Sequence, residues 1–112
     1  VCLSGAVKSH ITTLTDAASI AVDFNDGNIF LVTLGGNRTL AAPSNATGGQ
    51  TGSIYVIQDG TGGRTLAYNS VYQFVSGVVP TATSTTSAVD LLIYSARSAT
   101  TIDAVMLKNF KR

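Results

Sequence analysis

Glutamate is missing from this 112-residue chain, and all six acidic residues are Asp. Glu favours helices whereas Thr, Val and Ile favour strands. Its absence, in a chain of which Thr and Ser make up about a quarter, argues against helical architecture. Cysteine is almost absent too. Cys2 alone excludes an internal disulfide, and Cys2 with the single histidine, His10, supplies too few ligands for a zinc centre. Cys2 reads as a reduced thiol of a protein made in the cytoplasm; the alternative is an intermolecular disulfide near a symmetry axis. Charge is sparse. Seven Lys and Arg against six Asp leave a net charge of +1, without the basic face of a nucleic-acid binder. No window approaches the ~18 apolar residues of a membrane span. The N-terminus lacks a charged-then-apolar signal pattern. It also lacks Met, as a processed chain or a piece of a longer one would.

What remains is a strand-forming sequence cut by turns. The length suits a single domain, 1–112, that buries roughly two-thirds of its unfolded surface. Eleven glycines and scattered Asn and Asp provide the turns. His10–Leu14 is a first short strand after a lead of residues 1–9. In Ala17–Phe24, Ile20, Val22 and Phe24 alternate with Ala21 and Asp23, the pattern of a strand with one buried face. Asn25-Asp26-Gly27-Asn28 then reads as a hairpin turn into Ile29–Leu34. Arg38–Ala42, Gly52–Asp59, Arg64–Tyr68, Val71–Phe74, Asp90–Ala96 and Ile102–Phe110 follow as further strands. Ser44–Thr51 is a polar loop, and Val75–Ala88 is a long connection with Pro80 and many Thr and Ser.

Such spacing predicts an all-β domain, an antiparallel β-sandwich of jelly-roll or Greek-key type with about eight strands. The expected core comprises Ile20, Val22, Phe30, Val32, Leu34, Leu40, Ile54, Val56, Leu66, Phe74, Leu92 and Val105. Two stretches, Tyr55-Val56-Ile57 and Leu91-Leu92-Ile93, are apolar on both faces. Because the chain has few charges to keep a second face in water, we expect another subunit to cover it.

Chemistry is hard to place. His10 lies in Lys8-Ser9-His10-Ile11 with no nucleophile motif around any Ser. Asp26 and Asp59 precede glycines and read as turn residues; no carboxylate pair stands out for glycoside hydrolysis. Gly60-Thr61-Gly62-Gly63 lacks the Lys-Ser/Thr of a phosphate loop. No enzyme activity, cofactor or metal is expected. Tyr55, Tyr68, Tyr72 and Tyr94 would stack sugars if exposed, and would finish the core edge or an intersubunit seam if not. Gly35-Gly36-Asn37-Arg38-Thr39-Leu40-Ala41 echoes Gly62-Gly63-Arg64-Thr65-Leu66-Ala67. The plain reading is two turn-to-strand junctions with exposed Arg and inward Leu; the sharper one gives Arg38 and Arg64 a ligand.

The segment Gln58-Asp59, the Thr/Gly turn and Gly63-Arg64-Thr65-Leu66 resemble a motif of small β-domains in tailed-bacteriophage structural proteins. Thr15–Asp23, Asn28-Ile29-Phe30 and Thr33–Pro43 look like that family's leading half, and Val89-Asp90-Leu91-Leu92 like part of its trailing half. The likeness runs from about Thr12 to Leu107. The family's usual late Trp is absent; Ala104-Val105-Met106 stands near its place.

The resemblance implies a non-enzymatic virion part made in the host cytoplasm, from a group found in tail fibres, tail tips and head fibres, often as trimers. We expect a homo-oligomer, a trimer first, that contacts other virion proteins and a host-surface glycan or protein, with no specific nucleic acid and no membrane insertion. The alternative is a capsid decoration protein on the coat lattice, which gains if the chain is complete. Partner contacts are expected on the polar loops, at Ser44, Asn45, Thr47, Gln50, Thr81, Thr83 and Thr85, and on the tail 108–112 at Lys108 and Arg112, with Lys8 as a further anchor. The basic tail's plainer reading is solvation.

Overall fold

A computed structural model describes residues 10–111. Cys2, Lys8 and Arg112 lie outside the described residues. Nine strands run in chain order: β1 Ile11–Thr13, β2 Ser19–Ile20, β3 Ile29–Leu34, β4 Arg38–Leu40, β5 Thr51–Gln58, β6 Leu66–Tyr68, β7 Tyr72–Phe74, β8 Val89–Ser98 and β9 Thr101–Leu107. The described residues include no α-helix, only one-turn 3-10 segments at Phe24–Asp26 and Val75–Gly77.

The strands form a six-stranded sheet in the order β1-β3-β5-β8-β9-β7 and a three-stranded sheet in the order β2-β4-β6. From β1 to β7 the chain alternates between them, odd strands in the larger sheet and even strands in the smaller. Neighbours in this wound part are parallel: β1 with β3, β3 with β5, β2 with β4 and β4 with β6. A parallel pair needs a long crossover, and here each crossover contains a strand of the opposite sheet. The β8–β9 hairpin is antiparallel, pairs antiparallel with β5, and has β7 parallel along its other edge. β7 therefore runs in the same direction as β5, with the hairpin standing between them.

This corrects the expected antiparallel jelly-roll. Two sheets do enclose one core, but the smaller is wholly parallel and the larger is mixed. Period-two alternation marks a strand's buried face and is blind to its partner's direction. The predicted hairpin at Asn25–Asn28 shows the consequence. Asp23 accepts the Asn25 N–H at 2.9 Å and Gly27 takes φ 148°, so the chain does turn. Phe24 meanwhile drops into the core, stacking on Tyr94 at 4.8 Å between ring centroids and lying 6.1 Å from Phe30. With that ring buried, the turn becomes a corner from one sheet to the other. Asp23 instead bridges Ser44 in parallel.

The core lies between the sheets. Ile20, Leu40 and Leu66 from the smaller sheet meet Phe30, Val32, Leu34, Ile54, Val56 and Leu92 from the larger. Every expected core residue is buried except Phe74, which is partly buried, and Val105, which is exposed. The register sets this: Ala104 pairs with buried Tyr94 and faces in, while Val105 pairs with exposed Ile93 and faces out. Close approach also explains Gly52. A Cβ there would fall onto the Asn28 carbonyl oxygen.

Candidate functional site

The Gln58–Leu66 segment binds the molecule to itself. Gln58 is buried at the end of β5. Its Nε2 donates to the carbonyls of Arg64 and Thr83, both at 2.8 Å, and its Oε1 accepts the Arg64 N–H at 3.0 Å. The Asp59 carboxylate accepts the N–H groups of Thr61 and Gly62 at 3.0 Å and pairs with Arg64 at 3.0 Å. The Arg64 hydrogen bond, ahead of those N–H groups, holds the Asp59 carboxyl below the usual carboxylate range. Gly62, at φ 73°, has no room for a Cβ against the Ser84 carbonyl. The long connection is stitched onto this turn by Gly63 N–H to Ser84 O at 2.8 Å and Ser87 N–H to Asp59 O at 3.1 Å.

The earlier copy repeats the device. Asp16 accepts Arg38 Nε at 2.8 Å, Arg38 Nη2 at 3.0 Å and the Gly35 N–H at 3.1 Å. Its pKa is lowered chiefly by the Arg38 hydrogen bond. Asn37 Oδ1 accepts the Thr65 N–H at 3.1 Å, which ties the two turns together. Leu40 and Leu66 are buried, as the plain reading requires, but Arg38 and Arg64 are half-buried rather than exposed, each held by an Asp carboxylate of the chain.

The residues expected to contact partners separate into two ends and two kinds. Ser44 Oγ donates to Val22 O at 3.3 Å, and Asn45, at φ 58°, donates to Asp23 Oδ1 at 2.8 Å. Gln50 Nε2 lies between the carbonyls of Phe24 and Gly27 and Asn28 Oδ1, at 3.0–3.1 Å. Thr47 is exposed. At the other end of β5, Thr83 is held by a buried carboxylate: its N–H and Oγ1 donate to Asp90 at 2.7 and 2.8 Å. Asp90 also accepts the Asn109 N–H at 2.8 Å, which fixes the start of the tail. Thr81, Thr85 and Lys108 are exposed. The residues at 44–50 and at 81–85 flank opposite ends of an eight-residue strand, about 26 Å at 3.3 Å per residue. They do not form one site. Arg112 lies outside the described residues.

The tyrosines do not make an exposed platform. Tyr72 is buried with its hydroxyl on Ala41 O at 3.0 Å, and Tyr94 is buried with its hydroxyl on Asn28 O at 2.8 Å. Burial pushes the Tyr94 phenol up to about 12. Tyr68 packs edge-on to Tyr72 and Phe74. His10 is exposed just before β1. No group of three or more His, Cys, Asp or Glu that could hold a metal ion occurs among the described residues, and none of their helices is long and apolar enough to cross a membrane.

A surface missing from the expected contact residues is the outer face of the larger sheet. One row of paired residues crosses five strands as Ile11, Ile29, Ser53, Ile93 and Val105. The next is Thr13, Leu31, Tyr55, Leu91 and Leu107. Neither row contains a charge. The signal for it was the two-sided apolar pattern of Tyr55–Ile57 and Leu91–Ile93, the basis for expecting another subunit.

Residues 11–98 match the family model described as "putative phage tail fibre C-terminal domain". The chain belongs to this tail fibre domain family. The match begins with the first residue of β1 and ends with the last of β8, so it takes in both stapled turns and the long connection. No curated protein and no solved structure matches the chain. Family membership makes the chain a structural component of a phage virion and supports association with other virion proteins. The virion setting that the resemblance implied is thereby met.

Proposed function

We propose that the chain is a non-enzymatic, oligomeric tail fibre domain, a homotrimer, which serves assembly of the fibre or attachment to the host. The observation that carries this reading is the family match over residues 11–98. Two features of the molecule support it. The conspicuous motifs are consumed by internal hydrogen bonds, which leaves shape and exposed loops as the means of recognition. The outer sheet face carries two rows without a charge, and its Arg97 and Asp103 are paired with each other, as on a surface covered by another subunit. Contacts with virion partners or a host-surface glycan or protein fall to the exposed Thr47 at one end of β5 and to Thr81, Thr85 and Lys108 at the other, with Ser44, Asn45, Gln50 and Thr83 shaping the loops. Arg112 and Lys8 extend this role to the termini. The family match favours the appendage over the coat lattice.

Immunogold microscopy of the virion with antibody raised against the chain tests this. Label on tail fibres is expected. Label spread over the head would support the decoration alternative, and an unlabelled virion would overturn the virion assignment itself.

A further inference from the structure

The apolar outer face has a definite shape at its hairpin end. Ile93, Val105 and Leu107 are 39, 43 and 46 % exposed there. Beside them the 3-10 turn after β7 lifts Val75 out to 71 % exposure, with Val78 at 69 %. Ser76 at φ 56° and Gly77 at φ 72° hold that turn. Val75 stands between two grooves. One, of about 390 Å³, is lined by Thr51, Ile93, Ser95 and Val105; the other, of about 230 Å³, by Phe74, Val78, Pro80 and Met106.

Knob and larger groove thus share the outer face, and the smaller groove lies at its β7–β9 rim, where Phe74 and Met106 pack against the core. Side chains at these exposures present on the order of 500 Å² of apolar surface, the size of the largest patch on a typical monomer, which is often functional. That is more than half of the roughly 800 Å² per partner that a standard interface buries. Charge narrows the choice of occupant. The charged pair at this end of the face, Arg97 and Asp103, is neutralised within the chain at 2.5 Å, so the surface offers an acidic or basic partner nothing to pair with. It also offers no repulsion to a copy of itself, and in a closed ring the Val75 knob of one copy would seat against the groove of the next, the head-to-tail contact from which cyclic oligomers are built.

We infer that the hairpin end of this face, with the Val75 knob, is where a second copy of the chain docks. This rests on the oligomeric reading above and adds which part of the outer face carries the contact. The test is sedimentation velocity at micromolar concentration on the parent, Val105→Asp, Val75→Ser and, as a control on the outer face of the smaller sheet, Thr39→Asp. The parent and Thr39→Asp should sediment as the same oligomer. Val105→Asp should sediment as a monomer with the parent's β-type circular dichroism. Val75→Ser trims a side chain that is 71 % exposed in the single chain, and should weaken self-association by about tenfold or more, as truncation of a central apolar contact does. A monomeric parent overturns the oligomeric reading and the inference with it. An oligomeric parent with undiminished association in Val105→Asp or Val75→Ser overturns the face assignment alone.

Discussion

The wound part of the molecule, β1 to β7, and the β8–β9 hairpin reach the same core by different means. The hairpin's strands are ten and seven residues long and adjacent in sequence, so a long backbone ladder, shifted once between Ala96 and Ser98, sets their register. In the wound part the smaller sheet's strands are two or three residues long and pair only with strands a full turn of the chain away. Register there depends on the corners. Asp16 with Arg38, Asp59 with Arg64, Asp23 with Asn25 and Asn45, and buried Gln58 fix each crossing of the core. The most conspicuous sequence motif is therefore the scaffold's joinery, and the plain apolar strands carry the free surface.

The largest expected effects follow from the shared core. Phe30→Ala in the wound part should cost about 3–5 kcal/mol and Leu92→Ala in the hairpin about 2–5 kcal/mol. Both should shift a single denaturant transition, since both side chains are fully buried in one cluster. Two separate transitions would break the view that the parts differ only in how they are braced.

Corner bracing gives an intermediate effect. Gln58→Ala leaves the Arg64 N–H and the Arg64 and Thr83 carbonyls without their partner, a loss of about 1–3 kcal/mol. A hairpin-tip change such as Ala99→Ser, on an exposed turn residue, should stay within about 0.5 kcal/mol. Equal costs at the two sites, read from urea melts, would erase the distinction.

The smallest effect is acid sensitivity. The Asp16, Asp23, Asp59 and Asp103 pKa values are all lowered from 3.8 in the folded chain, by Arg38, Asn45, Arg64 and Arg97 respectively. A depressed folded value means stability that is full above the unfolded pKa and lost as pH falls through the folded one. Melting temperature should therefore hold from neutrality down to about pH 5 and decline below about pH 4. The decline should be modest because the pairs are solvent-screened. Asp16→Asn with Asp59→Asn should flatten it more than Asp103→Asn.

Much of this was legible in the sequence. Alternation placed Ile54, Val56 and Gln58 on one face of β5 and Tyr55 and Ile57 on the other, as found. The repeated Arg-Thr-Leu units mark β4 and the entry to β6, which prove to be parallel neighbours, with Arg38 opposite Leu66. Sheet membership was not legible, because an Asp-Gly turn looks the same whether it closes a hairpin or a corner; Phe24's burial decides that. Val105 was assigned inward because β9 is apolar on both faces, and only the Tyr94–Ala104 pairing makes the small residue the inner one. The contact loops were visible as polar stretches, but the commitment of Thr83 to Asp90 and of Gln50 to three acceptors requires partners distant in sequence.

The central claim is that the apolar outer face of the larger sheet is covered by copies of the chain. Its most direct measurement is the solution mass of the parent chain at micromolar concentration by sedimentation equilibrium. A mass three times that of the chain, holding across dilution, is the predicted result; the mass of a single chain would contradict it.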